Sequence, residues 1–181
     1  TFHCWFYTWA QDELVIYFQK RSMQKKDFPG QLDITAAGHL LAHETVVDGF
    51  REVQEELGIE VKPEEAQGLG VFLVDIALPG FNDREFTNVF LVERTLTAGT
   101  FYLLEEEVEG VYPLSLQVFK EIFYGQRDQV TSNGVCQVGG KQFSRSSTFR
   151  KSDFCVNAAT YYDQLIVCFE KIVEKQSKTL D

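Results

Sequence analysis

The distribution of apolar and polar positions divides the chain into short extended runs and a few helical ones. Phe2 to Trp9 and Leu14 to Gln19 are rich in aromatic and β-branched residues, and the polar Ala10-Gln11-Asp12-Glu13 separates them. That pattern predicts a hairpin of two strands. Arg21 to Asp27 reads as a polar, basic loop closed by the turn Phe28-Pro29-Gly30, and Leu32 to Ala37 as a short extended run ending at Gly38. From Asp48 to Leu57 the period becomes helical: Phe50, Val53 and Leu57 make one apolar stripe able to pack on a sheet, and Gly58 is a natural C-terminal stop.

Beyond a turn at Lys62-Pro63-Glu64-Glu65, Gly70 to Ala77 and Glu85 to Val92 read as strands joined by a loop around Pro79-Gly80-Phe81-Asn82-Asp83. An amphipathic helix follows over roughly Ser115 to Tyr124, with Leu116, Phe119 and Phe123 inward. Residues 125–150 are polar and rich in Gly and Ser, with a small hairpin expected over Val135 to Phe143, centred on Gly139-Gly140. Asp153 to Lys175 reads as a closing helix. There is no internal repeat and no composition break that would mark a linker, so 181 residues make one α/β domain with a real core.

The informative segment is Gly38 to Ile59. On a helix Glu52, Glu55 and Glu56 stand at i, i+3 and i+4, so three carboxylates share one face and repel one another. Because the opposite stripe is apolar and the helix short, the acidic face is either open to water or a cation site, in which case the three carboxylates would converge near one point. A cluster of hard oxygens suits Mg2+ or Mn2+.

These residues resemble a known family. The Nudix box runs G-x5-E-x7-R-E-U-x-E-E-x-G-U, with U aliphatic. The chain supplies Gly38, five residues, Glu44, and then Arg51-Glu52-Val53-Gln54-Glu55-Glu56-Leu57-Gly58-Ile59. The second half matches at every fixed position; six residues, not seven, separate Glu44 from Arg51. The resemblance spans residues 1 to about 125 and implies an α/β/α sandwich around a mixed sheet, of the α+β class. It makes 1–181 a single Nudix-like domain, with 125–181 as a C-terminal helical extension. It also implies that Glu52, Glu55 and Glu56 hold divalent metal beside a diphosphate and that Arg51 orients a neighbouring carboxylate. Gly58 would permit the turn after the helix. The base that activates water in this family is a box glutamate or one from a later loop; Glu85 is the best late candidate, followed by the run Glu105 to Glu107. The implied activity is metal-dependent hydrolysis of a diphosphate linkage in a nucleoside-diphosphate-type or other small molecule.

One branch is closer than the family average. Phe28-Pro29-Gly30 followed by Thr35-Ala36-Ala37-Gly38-His39 is similar to the FPG…T-N-x-x-C-x-H-P segment of type I isopentenyl diphosphate isomerases. The cysteine that moves the proton in those enzymes is replaced here by Ala37, whose methyl group cannot. Two alternatives to a hydrolase stay open: such an isomerase, and a diphosphate-binding module without turnover. Arg21, Lys25 and Lys26 before the turn are candidate phosphate contacts, and Gly38 and His39 candidate substrate contacts. Phe2, Trp5 and Phe81 are candidates for a pocket wall, with ordinary core packing as the alternative.

A net charge of −10 argues against a nucleic-acid polymer as partner, since backbone binding needs clustered Lys and Arg, but permits an anionic small molecule bridged by metal. Cys4, Cys136, Cys155 and Cys168 show no zinc-like or paired spacing and are expected as free thiols. No apolar run is long enough for a membrane span, and no basic segment leads into an apolar one at the start, so a soluble, cytoplasmic setting is expected. Residues 125–150 are assigned to substrate selectivity or to a subunit contact, which would make a homodimer.

Overall fold

A computed structural model describes residues 1–155 and 159–180. Strands β1 (Phe2–Ala10) and β2 (Glu13–Arg21) form the expected hairpin. Gln11 and Asp12 carry the turn, both at positive φ (51° and 64°), which gives it the twist that matches two paired strands. The run after the basic loop splits into β3 (Leu32–Asp33), pairing β2, and β4 (Ala36–Gly38), pairing β1. A 3-10 turn over Val47–Phe50 leads into helix α1 (Arg51–Leu57). The apolar stripe lies beneath it: Phe50, Val53 and Leu57 are all buried. Gly58 ends the helix at φ 64°, the left-handed conformation that glycine adopts without a Cβ penalty.

Strands β5 (Ala66–Leu78) and β6 (Phe81–Glu93) are longer than their apolar alternation suggests. The loop expected over residues 79–83 is a tight Pro79-Gly80 turn, and Phe81, Asn82 and Asp83 pair with Leu78, Ala77 and Ile76. β7 (Val108–Ser115) precedes α2 (Leu116–Phe123), where the Ser115 hydroxyl caps the helix by accepting from Val118 N–H. Leu116, Phe119 and Ile122 are its buried residues; Phe123 is half-buried, a correction of the expected inward set. The small hairpin expected around Gly139-Gly140 is ten residues on each side, β8 (Gln129–Val138) and β9 (Lys141–Arg150). Its alternating Ser, Thr and Gln positions look loop-like in sequence because most of that ribbon faces solvent. The closing helix α3 runs Ala159–Leu180; the expected start at Asp153 lies in a 3-10 turn, Lys151–Asp153, and 156–158 fall outside the described residues.

The strands join in one sheet in the order β5-β6-β1-β2-β7-β8-β9. β1 and β6 run parallel and the other named pairs antiparallel, so the sheet is mixed. Strand alternation sends Phe2, Cys4 and Phe6 of β1 into a core with Phe50, Val53 and Leu57 under α1. Trp5 and Tyr7 face the opposite core with Phe119, Tyr161, Leu165 and Phe169 of α2 and α3. A central strand covered on both sides is apolar on both sides, which explains the unbroken aromatic run at the start of the chain. All four cysteines are free thiols. No described helix is long and apolar enough to cross a membrane.

Candidate active site

Arg51 is the hub of the box segment. Its guanidinium grips Glu44 with two bonds, Nε to Oε1 at 2.6 Å and Nη2 to Oε2 at 3.1 Å. Nη1 reaches Glu55 at 3.0 Å and Glu52 at 2.8 Å, and Nη2 the carbonyl of His39 at 3.2 Å. Glu44 therefore stands in Arg51's grasp despite the short spacing, and the pair holds its carboxyl down at about 2. Arg51 thus contacts three carboxylates of the box segment, Glu44, Glu52 and Glu55.

Glu56 behaves differently. It points inward, 7% exposed, and its Oε2 accepts from Ala37 N–H at 3.2 Å and from Gln19 Nε2 at 3.5 Å. It has no ion-pair partner among the described residues. Burial, reinforced by the charge of Glu52, pushes its carboxyl up to about 8. Glu52 is also raised, mainly by burial, and sits against Gly38, where a Cβ would meet its carboxyl carbon at 2.1 Å. Glu55 is largely exposed. The expected convergence of the three carboxylates is not the arrangement found: among the described residues, no three His, Cys, Asp or Glu side chains are grouped closely enough to hold an ion as they stand. Mutual repulsion and the pull of Arg51 separate them. Their chemistry nonetheless fits a divalent cation, because they are hard oxygen donors on one helix and a buried carboxylate without a counter-charge is the group a cation would stabilise.

The end of α1 is fastened from outside. Tyr102 N–H donates to the Leu57 carbonyl at 2.8 Å and Leu104 N–H to that of Glu56 at 2.9 Å, satisfying acceptors a helix leaves open. That loop is held in turn by the β8–β9 tip. Gln137 exchanges two bonds with the Leu103 backbone, and Glu105 accepts from the amides of Gly139 and Gly140. Glu105 is thus occupied structurally, and Glu107 pairs with Lys25.

An open cleft of about 380 Å³ lies at β4, and Glu52, Glu55 and Glu56 are not among its lining residues. It gathers residues from distant parts of the sequence: Arg21, Lys25, Gly38, His39 and Glu85 all line it. His39 Nε2 meets Glu85 Oε1 at 2.9 Å, and Asp83 is raised by burial and by the charge and hydrogen bond of Glu85. Arg21 is committed to Asp33 at 2.7 Å, so both basic lining residues already hold carboxylates. Lys26 is exposed and does not line the cleft. Ala37, at the edge of the cleft, links it to Glu56 through its backbone N–H. Of the candidate wall residues only Phe81 is there; Phe2 and Trp5 are core. Phe81 meets Phe28 edge-on at 5.2 Å, and Phe28 holds a left-handed backbone at φ 52°. A non-glycine residue there costs about 1 kcal/mol, which the ring contact helps to offset.

The cleft also takes His3, Cys155 and Asp33, which sequence reasoning missed. Cys155 comes from the C-terminal extension, and burial keeps its thiol protonated. Only strand alternation could have pointed to His3, as a polar residue on the inward face of an aromatic strand.

No family model matches the chain. Over 163 residues it is 29% identical to an uncharacterised Nudix hydrolase of Clostridium acetobutylicum, covering 90% of this chain and 79% of that protein. It is 33% identical over 114 residues to Nudix hydrolase 3 of Arabidopsis thaliana, covering 60% of this chain and 14% of the plant protein. A MutT/nudix family protein from Enterococcus faecalis superposes with a TM-score of 0.59 at 13% identity, over 96% of this chain and 61% of that one. The chain has the Nudix fold. The NUDIX domain of Shewanella oneidensis NrtR, solved as a complex with ADP ribose, has a TM-score of 0.50 at 14% identity, over 66% of this chain and 74% of that one. The names of the sequence relatives, together with this Nudix architecture, support a Nudix-type hydrolase.

Proposed function

We propose that the chain hydrolyses a diphosphate linkage in a nucleoside-diphosphate-type or other diphosphate-containing small molecule, with Mg2+ or Mn2+ held by Glu52, Glu55 and Glu56. The observation that carries this reading is the buried, counter-charge-free carboxyl of Glu56, joined through Ala37 N–H to a cleft that Arg21 and Lys25 line. Residues 1–181 are taken as one domain in which 125–181 is an extension. The continuous sheet through β9 supports this.

A bound divalent cation would supply charge neutralisation and Lewis acidity at the diphosphate. The chain's own groups do the rest. Water attacks phosphorus, the bridging P–O bond breaks with its electrons going to the leaving phosphate, and the proton of water goes to a carboxylate. Glu85, tied to His39, offers a carboxylate in the cleft for that proton, while Glu56 is a ligand for the cation. Arg51 keeps Glu44, Glu52 and Glu55 in register. Arg21 and Lys25 line the cleft with their charges paired to Asp33 and Glu107.

The test is phosphate or phosphomonoester release from a panel of nucleoside di- and triphosphates, ADP-ribose, sugar nucleotides, coenzyme A and isoprenoid diphosphates, with Mg2+, Mn2+ or chelator. Release from some member that stops with chelator is the expected result; no release from any overturns the hydrolase. Isomerisation is the second reading, favoured by one observation: the cleft that Ala37 borders is also lined by a thiol, that of Cys155. Isopentenyl diphosphate incubated in D2O should take up no deuterium. Uptake at a catalytic rate that Cys155→Ala abolishes would make the chain an isomerase instead.

A further inference from the structure

Three buried side chains, of which His3 lines the cleft, form a hydrogen-bond series that the hydrolytic reading leaves unused. Trp5 Nε1 meets the Tyr161 hydroxyl at 2.9 Å, and the same hydroxyl meets His3 Nδ1 at 2.9 Å. All three are buried: Trp5 and Tyr161 completely, His3 to 8% exposure. The series has one direction. Indole N–H can only donate, so the phenol oxygen accepts from Trp5. Tyr161 has a single proton and no other acceptor among the described residues, so that proton goes to Nδ1 of His3. Nδ1 is therefore an acceptor and Nε2 carries the ring's hydrogen. Burial, with the positive Thr1 amine and His39 near by, keeps the ring neutral.

This order removes two ordinary roles of histidine. With one nitrogen occupied and the other protonated, the ring has no lone pair free for a metal or for a proton. It retains a donor. His3 lines the cleft, and its Nε2 has no partner among the described residues and is not sealed from solvent. A polar group held so firmly and left unpaired at a cleft wall calls for a ligand atom.

We propose that His3 contacts the substrate, its Nε2–H donating to an oxygen of the diphosphate-bearing ligand, and that Tyr161 and Trp5 are positioning residues that fix the ring for this contact. The proposal rests on the reading of the cleft as a diphosphate site. A neutral donor has a particular use here. The lining cations Arg21 and Lys25 are engaged with Asp33 and Glu107, and the carboxylates Asp83 and Glu85 line the same cleft. His3 can bind an anionic oxygen without breaking an ion pair. Tyr161 belongs to α3, 158 residues from His3, so this tyrosine contributes to ligand binding without touching the ligand.

The test uses the full chain with 15N-labelled histidine and Mg2+-saturated methylenediphosphonate, a diphosphate that cannot be hydrolysed, as probe. The free protein should show His3 as a single neutral ring with hydrogen on Nε2, and the probe should shift that nitrogen. His3→Phe should weaken probe binding about fivefold to tenfold, the range set by one neutral hydrogen bond. His3→Gln, which can accept from Tyr161 and donate to the ligand, should restore binding to within about twofold. Tyr161→Phe should leave the ring sampling both tautomers and raise KM more than it lowers kcat on whichever diphosphate the panel yields. Unchanged affinity in His3→Phe overturns the proposal while leaving the hydrolase standing. Should that variant not fold, a wild-type Nε2 resonance unmoved at probe saturation overturns it equally. If the wild-type chain binds no methylenediphosphonate, the diphosphate reading itself fails and takes the proposal with it.

Discussion

Glu56→Gln should pull activity and stability in opposite directions. Turnover should fall by about a hundredfold or more, as expected when a carboxylate that binds the cation or takes the proton becomes an amide. The metal-free protein, by contrast, should become more stable in alkaline solution. The folded carboxyl titrates near 8 against an ordinary 4.5, so between those values the folded state holds a proton that the unfolded state has lost. Wild-type stability should therefore decline as pH rises from about 4.5 to about 8, by up to about 1.4 kcal/mol per unit, and level off above. Glutamine keeps an acceptor for Ala37 N–H and carries no charge, so this contribution to the slope should vanish and the variant should gain on the order of 5 kcal/mol over the wild type between pH 4.5 and pH 8. Saturating Mg2+ should narrow the gap, since a cation bound only by the folded wild-type protein stabilises it. Urea unfolding at pH 5, 7 and 9, with and without Mg2+, measures all of this. Parallel pH profiles for the two proteins would show that Glu56 is not the strained group described here.

The second large effect separates two glycines. At Gly38 an added methyl would fall 2.1 Å from the carboxyl carbon of Glu52, the far end of a flexible side chain. That chain can swing aside, so Gly38→Ala should leave the unfolding midpoint nearly unchanged while displacing Glu52 and cutting turnover by about tenfold or more. At Gly49 the methyl would fall 2.5 to 2.9 Å from the buried ring and Cβ of Phe2, which is packed against Phe50 and Phe90. Nothing there can swing, and Gly49→Ala should cost about 1 to 3 kcal/mol of stability by overpacking. Equal loss of stability in the two variants would contradict the distinction.

The box helix, its buried stripe and its glycine stop were legible because each follows from local spacing: Phe50, Val53 and Leu57 on one side, Glu52, Glu55 and Glu56 on the other, Gly58 at the end. The hairpin of β1 and β2 was legible for the same reason. What escaped was set by partners far along the chain. β8 and β9 hide their pairing because an exposed ribbon needs no apolar face. Where the glutamates point depends on Arg51 and on Ala37 N–H, which helix periodicity does not describe. His3 and Cys155 meet at the cleft only because the fold brings the start of β1 beside the segment that precedes α3.

The fastening of α1 has a kinetic consequence. The carbonyls of Glu56 and Leu57 are held by a loop around Tyr102 to Leu104, that loop is held by Gln137, and His3 in the cleft is held by Tyr161. Each link closes a long stretch of chain, and loops of that size close late because their entropy must be lost before any contact rewards it. Secondary structure around the box needs no such closure, whereas the geometry that defines the cleft depends on contacts of high sequence separation, the kind that slows folding.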